Sequence, residues 1–110
     1  EALARIRAFD TAGADCLYVP LPPDLAALRA VVAATEKPVN ALASGAFLNL
    51  HLSDFARAGV ARISLGSGLA RLAQASIIEA GLSILGGDFT PLGWGASRAA
   101  VEAILAEGER

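Results

Sequence analysis

Residues 12–20 read AGADCLYVP, residues 38–43 read PVNALA and residues 59–66 read GVARISLG. Each run is short and apolar, contains residues that favour β-structure, and is bounded by Gly or Pro. We therefore predict three strands, near residues 15–20, 38–43 and 61–66. The strands start a little over twenty residues apart, which leaves room for one helix between each pair.

Helical patterns fill those intervals. Leu3, Ile6 and Phe9 have the spacing of one helical face, and Asp24 is placed to cap a second helix. Ser53 or Asp54 is expected to cap a short third helix. Two more helices are predicted at residues 68–85 and 96–106. Strands that alternate with helices are typical of a parallel sheet, so we assign residues 1–110 to one α/β domain.

Composition narrows the function classes. The chain has 110 residues, 55% hydrophobic and 18% charged, which excludes a disordered tail. A complete barrel needs roughly 250 residues, so this chain is too short for one. The net charge of −2, with scattered basic residues, excludes an obvious nucleic-acid surface. Apolar runs end before the roughly 20 residues of a membrane span, so we expect no membrane partner.

The cysteine content and the first residues bear on the compartment. Cys16 is the only cysteine, so neither an internal disulfide nor a cysteine zinc cluster is possible. A reducing cytoplasm fits best, and we expect the protein there. The chain opens at Glu1 without an export signal, which suggests a piece cut from a longer protein.

The motifs AGAD (12–15), LYVP (17–20), PVN (38–40) and GVARISLG (59–66) together resemble the last three strands of the isocitrate lyase and phosphoenolpyruvate mutase superfamily. The resemblance covers nearly the whole chain and is closest to the short phosphonomutase-like members. It implies the C-terminal part of a (β/α)8 TIM barrel, with three parallel strands alternating with helices plus two C-terminal helices.

The resemblance also implies an activity for the parent protein. Members make or break C–C or P–C bonds in small 2-oxo acids or related carboxylates, with the help of Mg²⁺. Their metal-binding acids and their general acid or base lie on the first five strands, which would precede Glu1. We therefore expect no catalytic residue and no metal ligand in this chain, and no activity of the chain alone.

Asn40 is the first candidate for substrate binding. Strand alternation places Asn40 and Leu42 on one face, toward the barrel interior and near the carboxyl-end mouth where barrel enzymes work. The resemblance points the same way, because Asn at this position in lyase members helps bind the substrate carboxylate. The alternative is an Asn that satisfies neighbouring backbone groups only.

The third strand adds further candidates. Arg62, Ser64 and Gly66 share a face opposite Ile63 and Leu65. Arg62 is then inside the barrel or at its lower end. A guanidinium there must be paired, and an ion pair with a carboxylate from outside this chain is favoured over substrate binding. Ser64 either donates to a ligand or only fills space.

The Gly66-Ser67-Gly68 turn precedes a helix, where backbone N–H groups can receive a phosphate or a carboxylate. A tight turn with Ser67 as N-cap explains the same residues. If the turn holds a phosphoryl group, the parent is a different phosphate-binding TIM barrel.

Three residues carry weaker predictions. Pro20 stands where the lyase members carry a glutamate of the catalytic site, which disfavours methylisocitrate-type cleavage and favours the mutase-like branch. His51, the only histidine, is expected to be exposed or capping. Trp94 is a candidate anchor for a homo-oligomer, because C-terminal helices in this superfamily pack against a neighbouring subunit; a contact within the chain is the alternative.

A different class of function stays open. Three parallel strands by themselves leave two unpaired edges and an apolar face, which drives association. The chain is then a catalytically silent structural or oligomerisation module.

Overall fold

The computed structural model describes residues 1–108, which group into two compact units, residues 1–69 and residues from 70 onward. The assignment of residues 1–110 to a single domain stays a prediction. The first unit contains α1 (Ala2–Thr11), β1 (Leu17–Tyr18), α2 (Leu25–Val32), β2 (Val39–Leu42), a 3-10 helix (Gly45–Phe47), α3 (Leu52–Arg57) and β3 (Arg62–Ser64). Helix α4 (Gly68–Leu85) leads into the second unit, which continues with a 3-10 helix (Thr90–Trp94) and α5 (Arg98–Gly108).

The three strands form one parallel sheet in the order β1-β2-β3, as predicted. Tyr18 lies opposite Asn40, and Asn40 lies opposite Arg62. The strands are shorter than the sequence suggested, at 2, 4 and 3 residues. Pairing of β1 stops before Pro20, which has no N–H to donate to a sheet ladder.

The core of the first unit lies between the sheet and helices α1, α2 and α3. One group of buried side chains joins α1 and α2 to β1 and β2, and it comprises Ile6, Leu17, Val31 and Val39. A second group joins α2 and α3 to β2, and it comprises Leu28, Ala41, Phe47, Phe55 and Ala58. The strand residues of both groups point to one face of the sheet. We call the opposite face, which carries Tyr18, Asn40, Arg62 and Ser64, the open face.

Side chains at the helix ends explain where two helices begin. The Asp24 carboxylate accepts a hydrogen bond of 2.8 Å from the Ala27 N–H and caps α2, as predicted. The prediction for α3 is wrong: His51, and not Ser53 or Asp54, occupies the N-cap position. Asp54 lies in the first turn, and its carboxylate accepts a hydrogen bond of 2.8 Å from the His51 backbone N–H. The helix dipole also stabilises a negative charge at this position.

The second unit is almost entirely helical. Helix α4 has the predicted bounds, whereas the last helix is shifted by two residues to Arg98–Gly108. The exposed large apolar side chains of the second unit are Leu72, Ile77, Ile78, Leu82, Leu85, Phe89, Leu92, Trp94, Val101, Ile104 and Leu105.

Helix α4 meets the length and composition of a membrane span, with 18 residues and a mean hydropathy of 1.2. It also contains Arg71 and Glu79, and a charge at the centre of a bilayer costs about 3 kcal/mol on insertion scales. By itself the hydropathy of one helix is weak evidence, since core helices of soluble proteins pass the same test. The absence of a membrane partner stays a prediction.

Candidate functional site

Three of the predicted substrate-binding residues meet on the open face, and we call Asn40, Arg62 and Ser64 the Asn40 cluster. The Arg62 Nε–H donates to Asn40 Oδ1 at 2.9 Å, and Asn40 Nδ2 donates to Ser64 Oγ at 2.9 Å. The Ser64 hydroxyl donates in turn to the Ala41 carbonyl at 3.3 Å. The contacts follow from the sheet register, because Asn40 pairs with Arg62 and Ser64 lies two residues further along β3.

The members of the cluster differ in their access to solvent. Asn40 is 3% exposed, whereas Arg62 is exposed and Ser64 is half-buried. Asn40 lies inside β2 and Ser64 is the last residue of β3, so the cluster extends along the strands and not only at their carboxyl ends. Among the described residues, Arg62 is therefore the most exposed member of the cluster.

The guanidinium of Arg62 has no carboxylate within 4.0 Å among residues 1–108. The ion pairs in that range are Arg5 with Glu1, Arg57 with Asp54 and Arg98 with Glu102. The predicted ion pair with a carboxylate from outside this chain stays a prediction. Within the part of the chain that the structure describes, the Arg62 guanidinium is hydrogen-bonded to the neutral amide of Asn40, and no acidic side chain neutralises its charge.

Gly66 and Ser67 lie in the turn between β3 and α4. Gly66 has a φ of +53°, and a Cβ there would approach Leu42 Cδ1 to 3.2 Å, so both the backbone and the packing favour glycine. The Gly68 N–H donates to the Leu65 carbonyl at 3.0 Å, which closes the turn. Ser67 is exposed, and in residues 1–108 its side chain makes no hydrogen bond to the Asn40 cluster.

The loops that follow β1 and β2 meet at the carboxyl end of the sheet. Leu21, between two prolines, has a φ of 48°, which is strained for a residue with a side chain. A Cβ at Gly45, after β2, would lie 3.7 Å from Leu21 Cδ2. The strain at Leu21 was not predicted; prolines on both sides were the only sequence signal for it.

Two cavities lie outside the cluster. A groove of about 440 Å³ runs between α1 and the free side of β1, and its lining includes Arg5, Phe9, Tyr18 and Pro20. Pro20 therefore offers an apolar ring at the position where the resemblance implies a carboxylate. The second cavity, of about 390 Å³, lies within the second unit and is lined in part by Ile77 and Trp94.

The described residues do not fit a magnesium site. In residues 1–108, no group of three or more His, Cys, Asp or Glu side chains comes together that could hold a metal ion. His51 is exposed at the start of α3, and its hydrogen bonds among the described residues are with Asp54 and not with the Asn40 cluster. We therefore derive no chemical step of this chain through a metal.

Two carboxyl groups are held in their charged form by local hydrogen bonds. The His51 backbone N–H lowers the pKa of Asp54, with smaller contributions from Arg57. The Thr90 backbone N–H and hydroxyl lower the pKa of Asp88. Both acids stabilise helix or turn starts and do not belong to the Asn40 cluster.

Comparison with known proteins agrees with this architecture. A crystal structure of a protein from Burkholderia cenocepacia, provisionally described as a lyase/mutase, superposes with a TM-score of 0.83 at 32% identity. The match covers 96% of this chain and 38% of that one, so the chain spans about two fifths of its neighbour. The three parallel strands and their helices are thus part of a TIM barrel. No curated protein matches the chain.

The family follows from a second comparison. The model of the phosphoenolpyruvate phosphomutase family matches residues 1–85. The chain belongs to this family, within the isocitrate lyase and phosphoenolpyruvate mutase superfamily. In such a barrel, the open face of the sheet corresponds to the interior, and substrates bind at the carboxyl-end mouth of the barrel.

Proposed function

We propose that the full-length protein carrying this chain is a magnesium-dependent lyase or mutase. It acts on small 2-oxo acids or related carboxylates, with formation or cleavage of a C–C or P–C bond. This chain supplies substrate contacts and is inactive alone. The observation that carries the proposal is the meeting of Asn40, Arg62 and Ser64 on the open face, in a chain of this family.

The chemistry of the cluster suits a carboxylate. Arg62 presents an exposed guanidinium, whose planar N–H groups match the two oxygens of a carboxylate. The half-buried Ser64 hydroxyl and the backbone at Gly66 and Ser67 are further polar groups on the carboxyl-end side. The magnesium ion would polarise the reacting oxygen, and its ligands would come from residues outside this chain.

Turnover by the full-length protein tests the proposal. We expect activity on at least one of phosphonopyruvate, oxaloacetate and methylisocitrate, and its loss when EDTA removes Mg²⁺. Arg62→Met should raise KM more than about tenfold, because a charged hydrogen bond pair is lost. Arg29→Met, at an exposed position of α2, is the matched control and should leave KM unchanged. The 110-residue chain alone should show no turnover.

A lack of turnover on all three acids would leave the structural module as the function of the chain. The phosphate-binding alternative is less well supported, because the Gly68 N–H already donates to Leu65 and is lost as a phosphate donor. We also propose a cytoplasmic location, which is supported by the free thiol of Cys16, the single cysteine of this chain.

We further propose a homo-oligomer formed through the C-terminal helices. The exposed apolar side chains of α4, the second 3-10 helix and α5 support it, with Trp94 at 68% exposure as the candidate anchor. Sedimentation of the full-length protein should show an oligomer that Leu82→Glu dissociates. Gln74→Glu introduces the same charge at an exposed position of the same helix and is the control. A monomeric wild-type protein would contradict this proposal.

A further inference from the structure

We propose that Leu21 is a specificity-determining residue at the carboxyl-end mouth of the parent barrel, where its side chain limits the size of the substrate acid. The inference rests on the proposed function and deepens it. The substrate is an acid with no bulky substituent at the carbon where the bond is made or broken.

A residue with left-handed backbone follows each of the three strands at the carboxyl end of the sheet. Leu21 after β1 has a φ of 48°, Gly45 after β2 has a φ of 57° and Gly66 after β3 has a φ of 53°. Glycine adopts this conformation freely, whereas a Cβ makes it costly. Two of the three positions hold the residue that the backbone favours, and Leu21 is the exception.

The strained conformation of Leu21 is held in place by its neighbours. Pro20 and Pro22 flank it, and Pro22 is buried. Asp24 then caps α2 through a hydrogen bond of 2.8 Å from the Ala27 N–H. The loop is thus anchored, so the left-handed backbone persists although the leucine side chain disfavours it. Strained residues that are fixed in this way cluster at active sites and ligand clamps.

The side chain of Leu21 lies beside the loop that follows β2. A Cβ on Gly45 would be 3.7 Å from Leu21 Cδ2, which is an ordinary van der Waals distance. In residues 1–108, Leu21 belongs to neither of the two buried apolar groups of the core. Its isobutyl group therefore takes up space between the loops after β1 and β2, at the end of the barrel where substrates bind.

A side chain at this position acts on substrate size. An apolar wall excludes substituents that would overlap with it, and one methylene group in a fixed pocket changes selectivity by about 10- to 200-fold. Glycine at position 21 would accept the left-handed backbone and remove the wall. Leu21→Gly therefore relieves the strain and opens the mouth in one change.

The test compares substrate sizes in the full-length protein. The substrates are the acid that it turns over among phosphonopyruvate, oxaloacetate and methylisocitrate, and the methyl and ethyl homologues of that acid. For the first two acids the added group is on C3, and for methylisocitrate it lengthens the methyl group. In wild type, kcat/KM should fall at least about tenfold from the acid to its ethyl homologue. In Leu21→Gly, the same ratio should shrink to less than about threefold.

Two further variants separate the size of the side chain from the strain. Leu21→Ala keeps a Cβ and the strain, and it should relax the selectivity without raising the unfolding temperature. Leu48→Gly removes an exposed leucine with a φ of −64° from the loop after β2, and it should leave the selectivity unchanged. In thermal unfolding, Leu21→Gly should unfold at or above the wild-type temperature and Leu48→Gly below it.

An unchanged size dependence in Leu21→Gly overturns this inference. If that variant also unfolds at a lower temperature, the side chain packs against another part of the parent barrel. An equal change of selectivity in Leu48→Gly overturns the inference too, as does a wild-type protein that accepts all three sizes equally. In each of these cases the acid is turned over and the proposed function stands. No turnover of any of the three acids overturns both.

Discussion

The Nε of Arg62, the first residue of β3, lies 2.9 Å from Oδ1 of Asn40 on the neighbouring strand β2. The two residues are partners in the parallel register, and they differ in exposure: the amide is buried and the guanidinium is exposed. A neutral acceptor holds the cation in place without cancelling its charge. We therefore expect the amide at position 40 to leave the charge of Arg62 available to an anion.

Asn40→Asp should abolish that property at nearly constant shape. A carboxylate at this position pairs with Arg62 and neutralises its charge. It also becomes a hydrogen-bond acceptor for the Ser64 hydroxyl, which then no longer donates to the Ala41 carbonyl. We expect KM for the substrate acid to rise at least about tenfold. Asn49→Asp makes the same change at an exposed position of the loop after β2. Equal KM values for the two variants would argue against Arg62 as the anion contact.

Phe55 should carry a large share of the stability of the first unit. Its ring is 3% exposed and packs edge to face against Phe47, with 6.1 Å between the ring centroids. Phe55→Ala should lower the free energy of unfolding by about 3–5 kcal/mol in urea titrations. Phe9→Ala removes the same group from a side chain that is 58% exposed, and should cost much less. Similar losses in the two variants would contradict the assigned core.

Gly59 combines a backbone and a packing requirement. Its φ is +81°, and a Cβ would come within 2.9 Å of Val32 Cγ1. Gly59→Ala should therefore destabilise the protein by about 1–3 kcal/mol, measured by thermal or urea unfolding. Gly81→Ala, inside α4 and with no atom within 4 Å of the new Cβ, should instead be neutral or stabilise by up to about 1 kcal/mol. The same sign for both variants would refute this explanation.

Asp54 should make stability depend on acid pH. Its pKa in the folded protein is lowered from the ordinary 3.8, mainly by the His51 backbone N–H. A lowered folded pKa means that the contribution of Asp54 is fully present above pH 3.8 and is lost as the pH falls through the folded value. Asp54→Asn should destabilise the protein at neutral pH, and its difference from wild type should shrink below pH 3.8.

The measurement for Asp54 is the unfolding temperature of wild type and Asp54→Asn across the acid range. Glu36→Gln, an exposed acid before β2, controls for the removal of one negative charge. A difference between wild type and Asp54→Asn that stays constant down to the lowest pH would show that the carboxylate charge plays no part.

Much of the site could be predicted because it depends on strand alternation. The period of two along a strand predicts that Asn40 and Leu42 share one face, and that Arg62 and Ser64 share one face. The hydrogen bonds among Asn40, Arg62 and Ser64 could not be predicted, because they depend on which residues of two strands are opposite each other. That register is a long-range property, and no local pattern around Asn40 encodes it.

The start of α3 also could not be predicted from the local sequence, although the residues involved are close together in the chain. Ser53 and Asp54 are both good N-cap residues, and propensity alone favoured them. The structure places the N-cap two to three residues earlier, at His51, and the Asp54 carboxylate in the first turn accepts a hydrogen bond from the His51 backbone N–H. Several arrangements of the same donors and acceptors are locally acceptable, and packing of Phe55 into the core selects one of them.

The sequence by itself determined the class of the chain, the order of its elements and the faces of its strands, because apolar periodicity and Gly or Pro boundaries are local properties of the chain. Only the tertiary structure decided that Asn40 is buried while Arg62 is exposed, and that one amide joins them. Burial and pairing are decided between segments more than twenty residues apart, where the sheet brings side chains together that the chain keeps separate.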